Sequence, residues 1–344
     1  MAIVDKPTNY FNTKLFSGNG SGGHAITGVG FAPDWVWLKN RSSVTLHHLY
    51  DTIRGAEKMI TSVDNRAEST QVNALTAFGS DGFTVGSDAD VNGNGNGIVS
   101  WNWKAGGSGS SNGTGSITAT VSANTTSGFS IVSYTGNNSN GATIGHGLGA
   151  APNMVIIKKK SSTAQWAVGG TNIDSTFNGY MFLDSTGAIA TSDNVFNDTA
   201  PSSSVITLGT TGDSNANGQT YIAYCFHSVQ SYSKFGKYTG NGNADGPFVY
   251  TGFKPAFVIV KRTDSANDWC LYDNKRDPFN VVQDKLQPNQ TSAESDDTSM
   301  DFVSNGFKFR ETGGNFNASG GTYIYMAFAE NPFVTSTGVP ATAR

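Results

Sequence analysis

Charged side chains make up only 14% of this chain, so the places where they gather are the places to look for chemistry. Tyr50, Asp51, Arg54, Ala67 and Glu68 recur as Tyr272, Asp273, Arg276, Ala293 and Glu294. A guanidinium presents a planar fork of donors that matches a carboxylate bidentately. Each set therefore either faces a ligand or pins a long loop, and we read both as structural ion pairs. His47 and His48 stand near Asp51, but neighbours on a strand point to opposite faces and cannot act as one acid–base pair. Packed or solvated roles are expected for them. Neither a serine nucleophile elbow nor a His-rich metal signature is present. The run Asp88-Ala89-Asp90-Val91-Asn92-Gly93-Asn94-Gly95-Asn96 alternates oxygen ligands as a calcium loop does, yet Val99 stands where the closing glutamate belongs. An EF-hand is excluded; the run reads as a hairpin tip, with a looser calcium site as the alternative. No catalytic residue, metal site or cofactor is expected. The remaining enzyme reading is a glycan depolymerase drawing its acid and base from Asp51, Asp273 or Glu294. That chemistry needs two unpaired carboxylates about 5 to 10 Å apart across a groove.

The elements that must position these groups come in three copies. Gly30-Phe31-Ala32-Pro33-Asp34-Trp35-Val36-Trp37-Leu38-Lys39 returns as Gly149-Ala150-Ala151-Pro152-Asn153-Met154-Val155-Ile156-Ile157-Lys158 and as Gly252-Phe253-Lys254-Pro255-Ala256-Phe257-Val258-Ile259-Val260-Lys261. Proline fixes φ and lacks an N–H, so it precedes or opens the strand that follows. Four or five successive apolar residues mean that both faces of that strand are covered, which makes it central in its unit. A second strand follows at Leu46 to Tyr50, Trp166 to Val168 and Trp269 to Tyr272, predicting an antiparallel pair. Hairpins are expected around Asp81-Gly82 and Asn305-Gly306, and a closing strand at residues 98–103, 221–226 and 323–328. The only plausible helical pieces are short, at residues 54–60 and 277–285.

Spacing supports the repeat, because Pro152 to Pro255 is 103 residues and Tyr221 to Tyr323 is 102. The surplus between the first two copies lies in the Gly/Ser tract from Gly106 to Ser116, whose composition predicts a flexible linker. The fold class expected is all-β, as three tandem β-sandwich modules of jelly-roll or lectin-like type. They span residues 1–104, 117–229 and 230–333, with a linker at 105–116 and a tail at 334–344. The first module should be hinged, or else held by a partner. The other two should pack rigidly through Tyr232 and Phe235.

A net charge of -4 without a basic block gives no footprint for nucleic acid, and Lys158-Lys159-Lys160 is expected to be solvated. Cys225 and Cys270 fall at non-equivalent repeat positions and read as buried free thiols. No apolar run approaches the roughly 20 residues of a membrane span, and the N-terminus lacks a signal-peptide pattern.

The phrases Phe31-Ala32-Pro33-Asp34-Trp35-Val36-Trp37-Leu38-Lys39-Asn40-Arg41, Tyr272-Asp273-Asn274-Lys275-Arg276-Asp277-Pro278 and Thr322-Tyr323-Ile324-Tyr325-Met326-Ala327-Phe328-Ala329-Glu330-Asn331-Pro332-Phe333 resemble a Gly-rich β-repeat of virion and tail-associated proteins of marine tailed bacteriophages. The resemblance covers nearly the whole chain and is weakest in the second copy. It implies a non-enzymatic structural component of the virion exterior, such as a tail fibre, knob or capsid decoration, made in the host cytoplasm. It also implies association with other virion proteins and a homotrimer or other homo-oligomer. A filament or surface-layer protein of a cell is the remaining structural alternative. A host-surface glycan would be the ligand, bound at the third module by Asn241, Asn243, Asn315 and Asn317, with Trp269 available for stacking. Neutral amides at loop tips hydrogen-bond sugars, but they also satisfy tight turns.

Overall fold

The computed structural model describes residues 3–339. It is almost entirely β, with helix confined to three short pieces among the described residues. One strand order recurs three times. Phe11–Ser17, Gly97–Trp103, Trp35–Asn40 and His47–Asp51 lie side by side in the first copy. Phe129–Thr135, Thr220–Phe226, Met154–Lys159 and Ala167–Gly170 do so in the second, and Ser233–Thr239, Thr322–Pro332, Phe253–Arg262 and Cys270–Asp273 in the third. The Pro-anchored strand is internal each time. Its register against the closing strand is preserved too: Trp37 pairs Trp101, Ile156 pairs Tyr224, and Ile259 pairs Met326. Gly30, Gly149 and Gly252 all take positive φ (91°, 70° and 84°) ahead of their prolines, where a Cβ would be strained. Pro255 departs from the expectation that proline precedes or opens the strand. It lies inside Phe253–Arg262 at a register shift, a bulge being where a strand accommodates a missing N–H.

Alternation explains why these strands are apolar on both faces. Val36, Leu38, Tyr50 and Ile98 point into a core formed within the first copy, and the other two copies have cores of their own. The opposite faces share a fourth core. There Trp35, Trp37, Trp101 and Trp103 meet Phe129, Ile156, Trp166, Tyr224 and Phe226 of the second copy, and Phe257, Ile259, Trp269, Met326 and Phe328 of the third. Trp35 stacks on Tyr224 at 4.5 Å, while Trp103 meets Phe257 and Phe328 edge-on, each at 5.6 Å. Offset and T-shaped pairs of this kind add to the gain from area burial.

Backbone hydrogen bonds close the three copies into a ring. Glu68 donates to the Lys160 carbonyl and Ala164 to that of Asn65, joining the first copy to the second. Ile189 to Thr263 and Asn267 to Thr186 join the second to the third, and Glu294 to Arg41 and Thr45 to Thr291 return the third to the first. Lys160, Thr263 and Arg41 each lie eight residues beyond their repeat proline. The three junctions are thus the same junction, and the ring has approximate threefold symmetry.

Several expectations are corrected. The tract expected to be a flexible linker contains a strand, Ser110–Asn112, paired with residues 119–121, and the Gly106 N–H reaches Ser122 Oγ at 2.8 Å. The first copy is not hinged, because its tryptophans are in the shared core. No helix forms at 54–60 or 277–285: Arg54 sits in a turn and Val282–Lys285 is a strand. Short helices fall instead at Ala89–Asn92 and Asp193–Phe196, each with a side-chain N-cap. Among the described residues no helix is long and apolar enough to cross a membrane.

Candidate functional site

The charged sets singled out from the sequence sit at the ring junctions. The Arg54 side chain is buried. Its Nε lies 2.5 Å from Asp51 Oδ2, Nη1 reaches Glu68 at 3.2 Å, and Nη2 donates to the Leu49 carbonyl. Arg276 repeats this with Asp273 at 2.6 Å, Glu294 at 2.8 Å and the Leu271 carbonyl. Burial works against both guanidinium charges, but the carboxylates beside them hold both pKa values above the ordinary arginine range. Each aspartate is also bonded across the shared core: the Tyr224 hydroxyl donates to Asp51 at 2.7 Å and the Trp101 indole to Asp273 at 3.0 Å. Tyr224 and Trp101 occupy the same repeat position, opposite Ile156 and Trp37. Glu294 also holds Arg41 of the first copy, with bonds at 2.8 and 3.0 Å from its Nε.

The second copy lacks the set, and its junction shows what replaces it. Gly170, Ile173 and Ile189 stand where Asp51, Arg54 and Glu68 stand in the first, and Met326 takes the place of Tyr224 or Trp101. A buried charge without its partners is costly, so donor, acceptor and ion pair are lost together in favour of apolar packing. Ile173 and Ile189 accordingly pack on the shared core.

Lysines complete each junction. Lys39, Lys158 and Lys261 are fully buried at one repeat position, six residues beyond the proline. Their ammonium groups donate to carbonyl oxygens: Lys39 to Thr45 at 2.8 Å and Thr291 at 3.0 Å, Lys158 to Ala164 at 2.5 Å, and Lys261 to Thr186 at 3.0 Å. Burial pushes each down to about 8. The expectation that Lys158-Lys159-Lys160 is solvated therefore fails for Lys158, which also lies over the Trp166 ring, and for Lys159, which is 8% exposed. The missed signal was a lysine at the same position of all three copies in a chain with little charge.

The proposed glycan residues are largely committed to the fold. Asn317 is buried, and its Nδ2 donates to Asn241 Oδ1, the Asn243 carbonyl and the Glu311 carbonyl, while its Oδ1 accepts the Asn241 N–H. Asn92 latches Asn19 in the same way, and Asn215 latches Asn137. The two loops do come together, but Asn317 has no amide left for a sugar. Asn315 Oδ1 accepts from Asn267 at 2.8 Å; Asn241 and Asn243 are exposed, and their amides brace the same turn. Trp269 is also corrected: it is 3% exposed in the shared core and donates to the Phe182 carbonyl, as Trp166 does to Thr61. It has no free face for stacking on a sugar.

His47 and His48 part to opposite faces. His47 Nδ1 accepts from the Trp37 indole at 2.8 Å, and burial holds its pKa well below the usual imidazole value. His48 faces Tyr50 and Asp90. The run from Asp88 forms the N-cap and single turn of Ala89–Asn92. Both cysteines are free and buried, and burial raises Cys225 to about 12. Two perturbed carboxyls had no sequence signal. Asp284 is pushed up to about 6 by burial, with Glu294 and Asp277 adding to it, and Glu311 to about 7 by burial beside Asp297.

Over residues 6–332 the chain matches the family described as Domain of unknown function (DUF7483), and it belongs to that family. The match spans all three copies as one unit. No curated protein and no solved structure matches the chain.

Proposed function

We propose that this protein is a non-enzymatic structural element of a virion exterior, made of three β-sandwich modules joined into one threefold body. The resemblance of its repeat phrases to phage virion proteins supplies the location. The supporting observation is that the side chains most suited to chemistry are spent on holding the ring: Asp51, Asp273 and Glu294 are each tied to a buried arginine. A depolymerase built on them would have no free acid or base. The amides of the third tip are occupied in the same way, so the role is architectural first and glycan binding is secondary. The ring also supplies within one chain the symmetry expected of a homotrimer, and we take the working unit to be a single chain docked on other virion proteins. Gold-labelled antibodies against the recombinant protein should decorate the outside of intact phage particles. Particles that carry the protein only internally, or not at all, would overturn the reading.

A further inference from the structure

We propose that His48, Asp88 and Asp90 form a binding site for one divalent first-row transition ion of zinc type, at the mouth of a surface cleft in the first copy. One ligand atom from each residue lies within 4.8 Å of the other two. His48 is only 2% exposed, and its Nδ1 is 3.1 Å from the hydroxyl of buried Tyr50, which leaves Nε2 aimed at the carboxylates. An imidazole oriented through its other nitrogen is the usual arrangement of a metal-binding histidine. The distance from His48 Nε2 to Asp90 Oδ2 is 3.3 Å. That is long for a charge-assisted hydrogen bond, which prefers about 2.7 to 2.9 Å. It matches the edge of a tetrahedron whose corners lie about 2.0 Å from a zinc ion, roughly 3.3 Å.

Asp88 spends one oxygen on the Asp90 N–H at 2.8 Å, and its other oxygen accepts no hydrogen bond among the described residues. The neighbouring cation, Lys39, directs its ammonium to the Thr45 and Thr291 carbonyls. Beside the cluster a cleft of about 430 Å³, lined by Thr70, Gln71, Asn73 and Ser87, gives water or a further ligand access to the remaining coordination positions. Mixed imidazole and carboxylate donors favour zinc and its neighbours over calcium and magnesium, which take oxygen alone.

The repeat provides its own comparison. With Asn92, Asn215 and Asn317 aligned, Asp88 and Asp90 correspond to Thr211 and Asp213, and then to Gly313 and Asn315; His48 corresponds to Ala167 and Cys270. Neither of the other copies repeats the set, so among the described residues the repeat offers this site once. The full chain, stripped with chelator, should be titrated calorimetrically with zinc chloride and separately with calcium chloride, alongside Asp88→Asn and His48→Ala. Asparagine caps a helix as well as aspartate does, so Asp88→Asn keeps the fold. One zinc per chain is expected, with calcium at least about tenfold weaker and zinc affinity at least about tenfold lower in either variant. Absence of saturable zinc binding, a preference for calcium, or undiminished affinity in Asp88→Asn would overturn the site. Should His48→Ala not fold, Asp88→Asn decides alone.

Discussion

Asn317 shows how a residue chosen for binding turns out to hold the fold. Its amide makes three donor bonds and accepts a fourth inside the protein, so Asn317→Ala should cost about 2–3 kcal/mol in urea denaturation, with Asn315→Ala under about 1 kcal/mol. Equal, small losses would return Asn317 to the list of ligand-facing groups. Asp273 behaves similarly. Asp273→Asn leaves the Arg276 charge buried with a weakened partner, and a loss of about 3–5 kcal/mol is expected. Replacing the first junction wholesale, as Asp51→Gly, Arg54→Ile, Glu68→Ile and Tyr224→Met, copies the second junction and should cost less than Asp51→Gly alone. If the losses simply add, the residues are not a coupled set. The charged sets were legible because they recurred in a charge-poor sequence. What the sequence did not carry was the other side of each contact, since Tyr224 and Trp101 come from different copies and look like ordinary core aromatics.

At the scale of elements, the Pro-anchored strands were legible because residues that alternate between two cores are apolar at every position. The buried lysines at their ends were not, since a lysine ending an apolar strand looks like a solvated cap until the next copy is seen to cover it. Their titration has a defined sign. Unfolded lysines titrate near 10.4, and in the folded chain burial holds Lys39, Lys158 and Lys261 at about 8. Below pH 8 the charge is carried in both states and its burial cost is fully present. Between pH 8 and about 10 these lysines bind more protons in the unfolded chain, so their contribution to stability rises with pH, while Cys225, held up at about 12, opposes it from an unfolded value of about 8.5. Above that range the buried tyrosines, whose pKa values are raised, reverse the trend. Lys158→Met should therefore lower the slope of the urea midpoint against pH between 8 and 10 relative to the parent chain; an unchanged slope would refute the assignment. The Gly/Ser tract teaches the opposite lesson. Its composition suits a linker, but a free sheet edge beside it captured Ser110–Asn112. Limited proteolysis of the native chain should spare residues 106–116, and early cutting there would restore the hinge.

For the whole molecule, the threefold repeat was plain in the sequence and its closure was not. The backbone bonds of each junction use groups that any residue but proline possesses, and the shared core is built from aromatics that a separate module would also have used. Closure alters what the repeat means. Beads on a string would each keep a core on one face, whereas here every copy contributes its second face to one common core. In mass photometry the chain should run as a 36.2 kDa monomer, and a predominant trimer would show that the symmetry lies between chains after all. The most direct test of the ring is differential scanning calorimetry of the full chain. Three copies sharing one core should unfold in a single transition whose calorimetric enthalpy equals its van't Hoff enthalpy. Separate transitions, or a calorimetric enthalpy several times the van't Hoff value, would mean that the copies fold independently and would contradict the shared core.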